Sequence, residues 1–105
     1  MIINSEFYEC IQLNGKVQAA IRYGFIDGDL GVHRVCGTWV IVYLPTGQRI
    51  PLTIQPKNYK AALKQAQRQI KGTDRFKKNV EDAKESEFFK LFEQSRKEQE
   101  GNTND

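Results

Sequence analysis

The chain is poor in the residues that most often carry chemistry. Its 105 residues include one histidine, two cysteines and three prolines. No phosphate-cradling glycine loop of the Walker or dinucleotide type occurs, nor a G-x-S-x-G nucleophile elbow, so the sequence reads as a non-enzyme that needs no cofactor. Long apolar runs are also missing. The N-terminus, Met1 to Glu6, meets an acid before any basic and apolar leader could form, and no later stretch has the length of a membrane span. The expectation is a cytoplasmic protein without a membrane partner. Cys10 and Cys36 lack C-x-x-C spacing and fall in stretches that read as strands, which predicts two buried free thiols rather than a disulfide.

What is present suits one folded domain. Apolar residues make up 39% and charged residues 28% of the chain, a balance that can bury a single core at this length. We expect one α+β domain over residues 1–100, with sheet in 1–55, helices in 56–100 and a disordered tail at 101–105.

The neutral half carries the period of two. Val17, Ala19, Ile21, Tyr23 and Phe25 alternate with more polar neighbours, as in a half-buried strand. Asn14-Gly15 favours the positive backbone angles of a type I′ turn, which makes Phe7 to Leu13 the hairpin partner. Residues Asp27 to Gly31 read as irregular. Thr38 to Leu44 is apolar on both faces and belongs deep in the sheet. After the Pro45-Thr46-Gly47 turn, Ile50, Leu52 and Ile54 alternate in a returning strand that Pro51 confines to an edge or interrupts. The total is an N-terminal antiparallel sheet of about four strands, two hairpins, followed by two or three C-terminal helices.

The remainder carries the helical period. Tyr59, Ala62, Leu63, Ala66 and Ile70 form an apolar stripe that should pack on the sheet. Pro56 and Gly72 punctuate that helix; Thr73 or Asp74 caps a second one through Phe76, Val80 and Ala83, and Ser86 caps or kinks a third.

Charge is segregated along the chain. Four basic and four acidic residues balance up to Pro56, residues 57–78 hold eight basic residues against one acid, and residues 79–105 hold four against eight. Within the basic stretch Lys57, Lys60, Lys64, Arg68 and Lys71 line one ridge opposite the apolar stripe. Such a ridge suits phosphates or an acidic protein surface, and equally a solvated helix face.

Three further groups are candidates. Arg22, Arg34 and Arg49 on the sheet could meet nucleic acid, with Tyr23, Trp39 and Tyr43 nearby for stacking, although the core is the better place for Trp39. Phe88, Phe89, Leu91 and Phe92 cannot share one narrow helical stripe: Phe88, Leu91 and Phe92 make one face, and Phe89 points away from it, toward a partner, a second copy or the sheet. Asp27, Asp29 and His33 bring two carboxylates and an imidazole into one short stretch, a cation site on paper, yet Asp-Gly-Asp serves equally as a solvated turn and nothing continues into a calcium loop.

Gly37-x-Trp39, the turn at Gly47, Arg49 on the returning strand and a helix opening through Ala61 and Ala62 resemble the three-stranded DNA-binding domains of the integrase arm-binding type. The resemblance covers about a third of the chain and implies that Arg34 and Arg49 contact DNA. Two function classes follow. The first is a small protein-binding regulator or inhibitor, a profile shared by accessory proteins of phages and mobile elements that act on host nucleoproteins or defence factors. The second is a nucleic-acid-binding module built on the Lys57 to Lys71 ridge and the sheet arginines. A homodimer is compatible with either.

Overall fold

The computed structural model describes residues 1–71 and 74–101. It is an α+β fold in which a five-stranded antiparallel sheet precedes three helices. The strands are β1 (Ile3–Leu13), β2 (Lys16–Asp27), β3 (Leu30–Val35), β4 (Thr38–Tyr43) and β5 (Gln48–Ile50), paired in sequence order as a meander. Among the described residues, no helix is long and apolar enough to cross a membrane.

Turn chemistry sets the register. Asn14 and Gly15 have φ of 53° and 79°, the type I′ signature, and this turn pairs Leu13 with Lys16 and, further up, Glu9 with Ala20. The strand the periodicity missed is β3. Its burial is continuous from Leu30 to His33, so it shows no alternation, and it enters through a two-residue turn at Gly28 and Asp29. Cys36 and Gly37, with φ of 49° and 80°, form the equivalent turn from β3 to β4. This corrects the expectation for the thiols: Cys36 is exposed at a hairpin tip, and Cys10 is half-buried on β1. The last strand ends at Ile50, one residue before Pro51, and lies at the sheet edge, as a residue without an N–H donor requires.

Residues opposite one another in antiparallel pairs share a face, so the register divides the sheet cleanly. One face holds Ala19, Phe25, Leu30, Val32, Ile41, Tyr43 and Ile50, the other Phe7, Glu9, Arg22, Gly31, His33, Val42 and Arg49. Helix α1 (Tyr59–Ile70) lays Ala62, Leu63 and Ala66 on the first face against Leu30, Val32, Ile41 and Ile50. Tyr59 stacks on Phe25 with ring centroids 3.8 Å apart. Asn58 caps the helix by accepting from the Ala61 N–H at 2.9 Å, the role of a short polar side chain at this position. The Gly72 stop and the Thr73 cap expected from the sequence lie outside the described residues, as do residues 102–105 of the expected tail.

Helix α2 (Asp74–Lys84) sets Phe76 edge-on to Tyr43, 5.1 Å away. Ser86 then caps α3 (Glu87–Gly101) by accepting the Phe89 N–H at 3.2 Å. The sheet curls, so that the Cys10 N–H on β1 donates to the Gly47 carbonyl at 2.7 Å beyond β4. Beyond its short pairing with β3, β2 would present unpaired backbone at Ala19. Helix α3 covers it: the Ala19 N–H donates to Ser95 Oγ at 3.0 Å and its carbonyl accepts from Gln99 Nε2 at 2.5 Å. Phe92 is buried between α3 and Gly47.

Candidate functional site

Of the expected ridge, Lys60, Lys64 and Arg68 lie within α1 at intervals of four, whereas Lys57 precedes the Asn58 cap and Lys71 is the C-cap residue in extended backbone. Lys57, Lys60, Lys64, Arg68 and Lys71 are all exposed, and among the described residues none of them forms an ion pair. Asp27, which lies beside Lys60 and Lys64, is taken by Gln67 Nε2 at 3.0 Å and by the N-terminal ammonium at 3.4 Å. Gln65 holds the preceding segment in place. Its Oε1 accepts from the Thr53 and Ile54 N–H groups at 2.7 and 3.1 Å, and its Nε2 donates to the Ile54 carbonyl at 2.9 Å. Between that segment and α1 runs an open groove of about 590 Å³ lined by Ile54, Pro56, Lys57, Lys64 and Arg68. The ridge therefore borders a partly apolar channel rather than a smooth cylinder.

A second polar assembly lies inside the curled sheet. Glu9 is only 1% exposed. Its Oε1 accepts from Arg22 Nε at 2.7 Å, and its Oε2 accepts from Arg49 Nε in a short contact. Arg49 Nη2 lies 3.5 Å from Oε1. His33 Nε2 stands 3.3 Å from the same oxygen, close enough for an ion pair when the ring is charged, but off the direction of a good hydrogen bond. Phe7 closes this interior by packing edge-on to His33 at a centroid distance of 5.8 Å. Burial alone would raise the Glu9 pKa, but His33, Arg49 and Arg22 together outweigh it and hold the carboxyl down at about 2.

This arrangement redistributes the sheet candidates. Arg22 and Arg49 are engaged by Glu9, and Arg34 sits over the Trp39 ring, 5.3 Å from its centroid. Trp39 is half-buried against Tyr59. Tyr23 remains exposed on β2. Asp27 and His33 occupy opposite faces of the sheet, so the stretch of sequence that holds Asp27, Asp29 and His33 does not converge in space. Of the C-terminal aromatics, Phe92 is buried, Phe89 is half-buried, and Phe88 is 50% exposed, so the outward ring is Phe88. Phe89 instead lines a shallow groove with Lys90, Gln94 and Lys97.

Sequence reasoning missed the Glu9 assembly. Its partial signal was the register of the Asn14-Gly15 hairpin, which places Arg22 diagonally across from Glu9. No protein-family model matches this chain, and neither the curated proteins nor the solved structures contain a significant match.

Proposed function

We propose that this protein acts by binding, as a small non-enzymatic regulator or inhibitor that docks the α1 ridge onto an acidic face of a protein partner. The observation that carries this reading is the group of five exposed cations, three on α1 and two flanking it, without an ion-pair partner among the described residues and beside a groove with apolar walls. Charged rims around apolar contact area suit protein recognition, in which charge steers and apolar burial holds. The chain's second half adds a selective feature. Residues 79–105 carry eight acids against four basic residues, a local negative field that would oppose a long polyanion lying along the helical layer but tolerates a compact acidic patch.

A second reading uses the same ridge on nucleic acid. Lys60, Lys64 and Arg68 are four residues apart, which sets successive cations about 6 Å apart along the axis, a spacing compatible with contacts to neighbouring phosphates. Salt separates the two readings. Binding to arbitrary duplex DNA or RNA at low salt, falling steeply as salt rises, supports nucleic acid; no such binding removes it. For the protein-docking reading, the tagged chain and a Lys60→Glu/Lys64→Glu/Arg68→Glu variant are used to recover partners from cells of the native source. Loss of the recovered complex on charge reversal supports the ridge, and an unchanged complex overturns it.

A further inference from the structure

We propose that Arg22 and Arg49, braced by Glu9, form an oxyanion clamp that takes one small carboxylate or phosphate group at the mouth of the curled sheet. The proposal is independent of the α1 ridge. It starts from charge arithmetic inside the sheet: one buried carboxylate faces two guanidinium groups and an imidazole. A single guanidinium would neutralise Glu9, so the assembly carries an excess of at least one positive charge.

The geometry leaves that charge usable. Arg22 meets Glu9 through Nε, and Arg49 through Nε with one longer contact from Nη2. Guanidinium presents five N–H donors in a rigid plane, so most of the terminal donors on both side chains remain uncommitted. Both side chains reach solvent, at 31% and 50% exposure, while the carboxylate between them does not. Their strands, β2 and β5, are held apart by β3 and β4, yet the two guanidinium groups converge because the same carboxylate grips both. The planes are thus fixed before any ligand arrives, which reduces the ordering cost of binding and favours paired N–H contacts to an oxyanion.

His33 supplies the independent observation. It is 4% exposed, and its Nε2 is buried without a hydrogen-bond partner. A buried polar atom left this way costs free energy unless something completes it. It sits 3.3 Å from the Glu9 oxygen that also receives Arg22. The imidazole is a third nitrogen held against that carboxylate, so Glu9 stays the fixed anchor of both guanidinium groups while their uncommitted N–H groups meet the ligand.

The test is a titration of the full chain, at constant ionic strength, with inorganic phosphate in one arm and acetate in the other, following the arginine Nε–H resonances by NMR. The expected result is a saturable shift at Arg22 and Arg49 in at least one arm, with a dissociation constant of about millimolar. The arm that saturates identifies the oxyanion class. Arg22→Lys and Arg49→Lys keep the charge but lose the fork, and each should weaken binding about tenfold or more. The Lys60→Glu/Lys64→Glu/Arg68→Glu variant should bind both probes as the parent does, so failure of the ridge reading leaves this result untouched. No saturable shift in either arm, or an undiminished affinity read at the remaining arginine in each single lysine variant, overturns the clamp. Thermal unfolding of each variant verifies that the protein measured is folded.

Discussion

The Phe92 ring occupies the space that a side chain on Gly47 would need. A Cβ built at Gly47 would lie 2.7 Å from Phe92 Cε1, and the glycine itself has a φ of 71°. Two requirements therefore coincide at one residue. The turn needs a positive φ, and α3 needs a flat backbone to seat its one fully buried ring. The same glycine's carbonyl receives the Cys10 N–H, so the seat of α3 is also where the sheet curls back on itself.

Gly47→Ala should accordingly cost more than backbone strain. Gly28 is the natural control, with a φ of 61° and open space where its Cβ would be. Gly28→Ala should lose about 1 kcal/mol, the usual cost of forcing alanine to positive φ, while Gly47→Ala should lose about 3 kcal/mol by adding a displaced aromatic ring. Chemical denaturation of the two variants measures the difference, and equal losses would mean that Phe92 is not held against the turn.

Glu9 gives the protein a defined acid response. Its carboxyl is held at about 2 against an ordinary 4.5, so the folded state binds this proton more weakly than the unfolded chain does. The resulting stabilisation is fully present above about pH 4.5 and is lost as pH falls toward 2. For one group this is about 3 kcal/mol. Glu9→Gln should lower stability at neutral pH, because two guanidinium groups lose their buried counter-charge, and should flatten the stability profile between pH 4.5 and 2. Denaturant midpoints across that window provide the measurement. A variant with the parent's slope would place the acid sensitivity elsewhere.

Much of this architecture is legible in the chain. Asn14-Gly15 fixes a hairpin register, the Tyr59 to Ile70 stripe identifies the inner face of α1, and Ser86 marks the start of α3 through its hydroxyl. The strand β3 is not legible by period, since Leu30, Gly31, Val32 and His33 are all buried and no solvent face imposes alternation. The Glu9 assembly is half legible. The hairpin register brings Arg22 near Glu9, but Arg49 reaches it only because the whole sheet curls, and curvature arises from contacts such as Cys10 to Gly47 that no local pattern encodes. Phe88 and Phe89 exchange roles for a similar reason. Helical spacing groups Phe88 with Phe92, whereas the seat against Gly47 admits only one ring.

The two thiols should separate chemically. Cys36 is exposed at the β3–β4 turn, while Cys10 is half-buried, and its pKa is raised by burial and by the nearby Glu9 charge. An alkylating reagent at neutral pH should modify Cys36 first, with Cys10 reacting slowly until the protein is denatured. Cys36 also holds a φ of 49°, where asparagine is better tolerated and where an Asn-Gly pair matches the type I′ turn. Cys36→Asn should therefore raise stability by about 0.5 kcal/mol and leave one slowly reacting thiol. Mass spectrometry after timed alkylation checks the order, and thermal unfolding checks the sign.

Helix α3 acts as a substitute strand along the edge of β2, and removing its two polar contacts tests that role directly. Ser95 Oγ and Gln99 Nε2 serve the N–H and carbonyl of one residue, Ala19, which is itself buried. Ser95→Ala strips the acceptor from the Ala19 N–H, and Gln99→Ala strips the donor from its carbonyl, each at about 1 kcal/mol. The informative readout is local. Amide hydrogen exchange at Ala19 should accelerate in Ser95→Ala beyond what the global loss of stability explains, while Gln99→Ala should leave that amide comparatively protected because its own acceptor is intact. In the double variant the exposed strand edge should promote concentration-dependent association, visible by sedimentation. An Ala19 amide equally protected in Ser95→Ala and in the parent would show that the hydroxyl does not cover this edge.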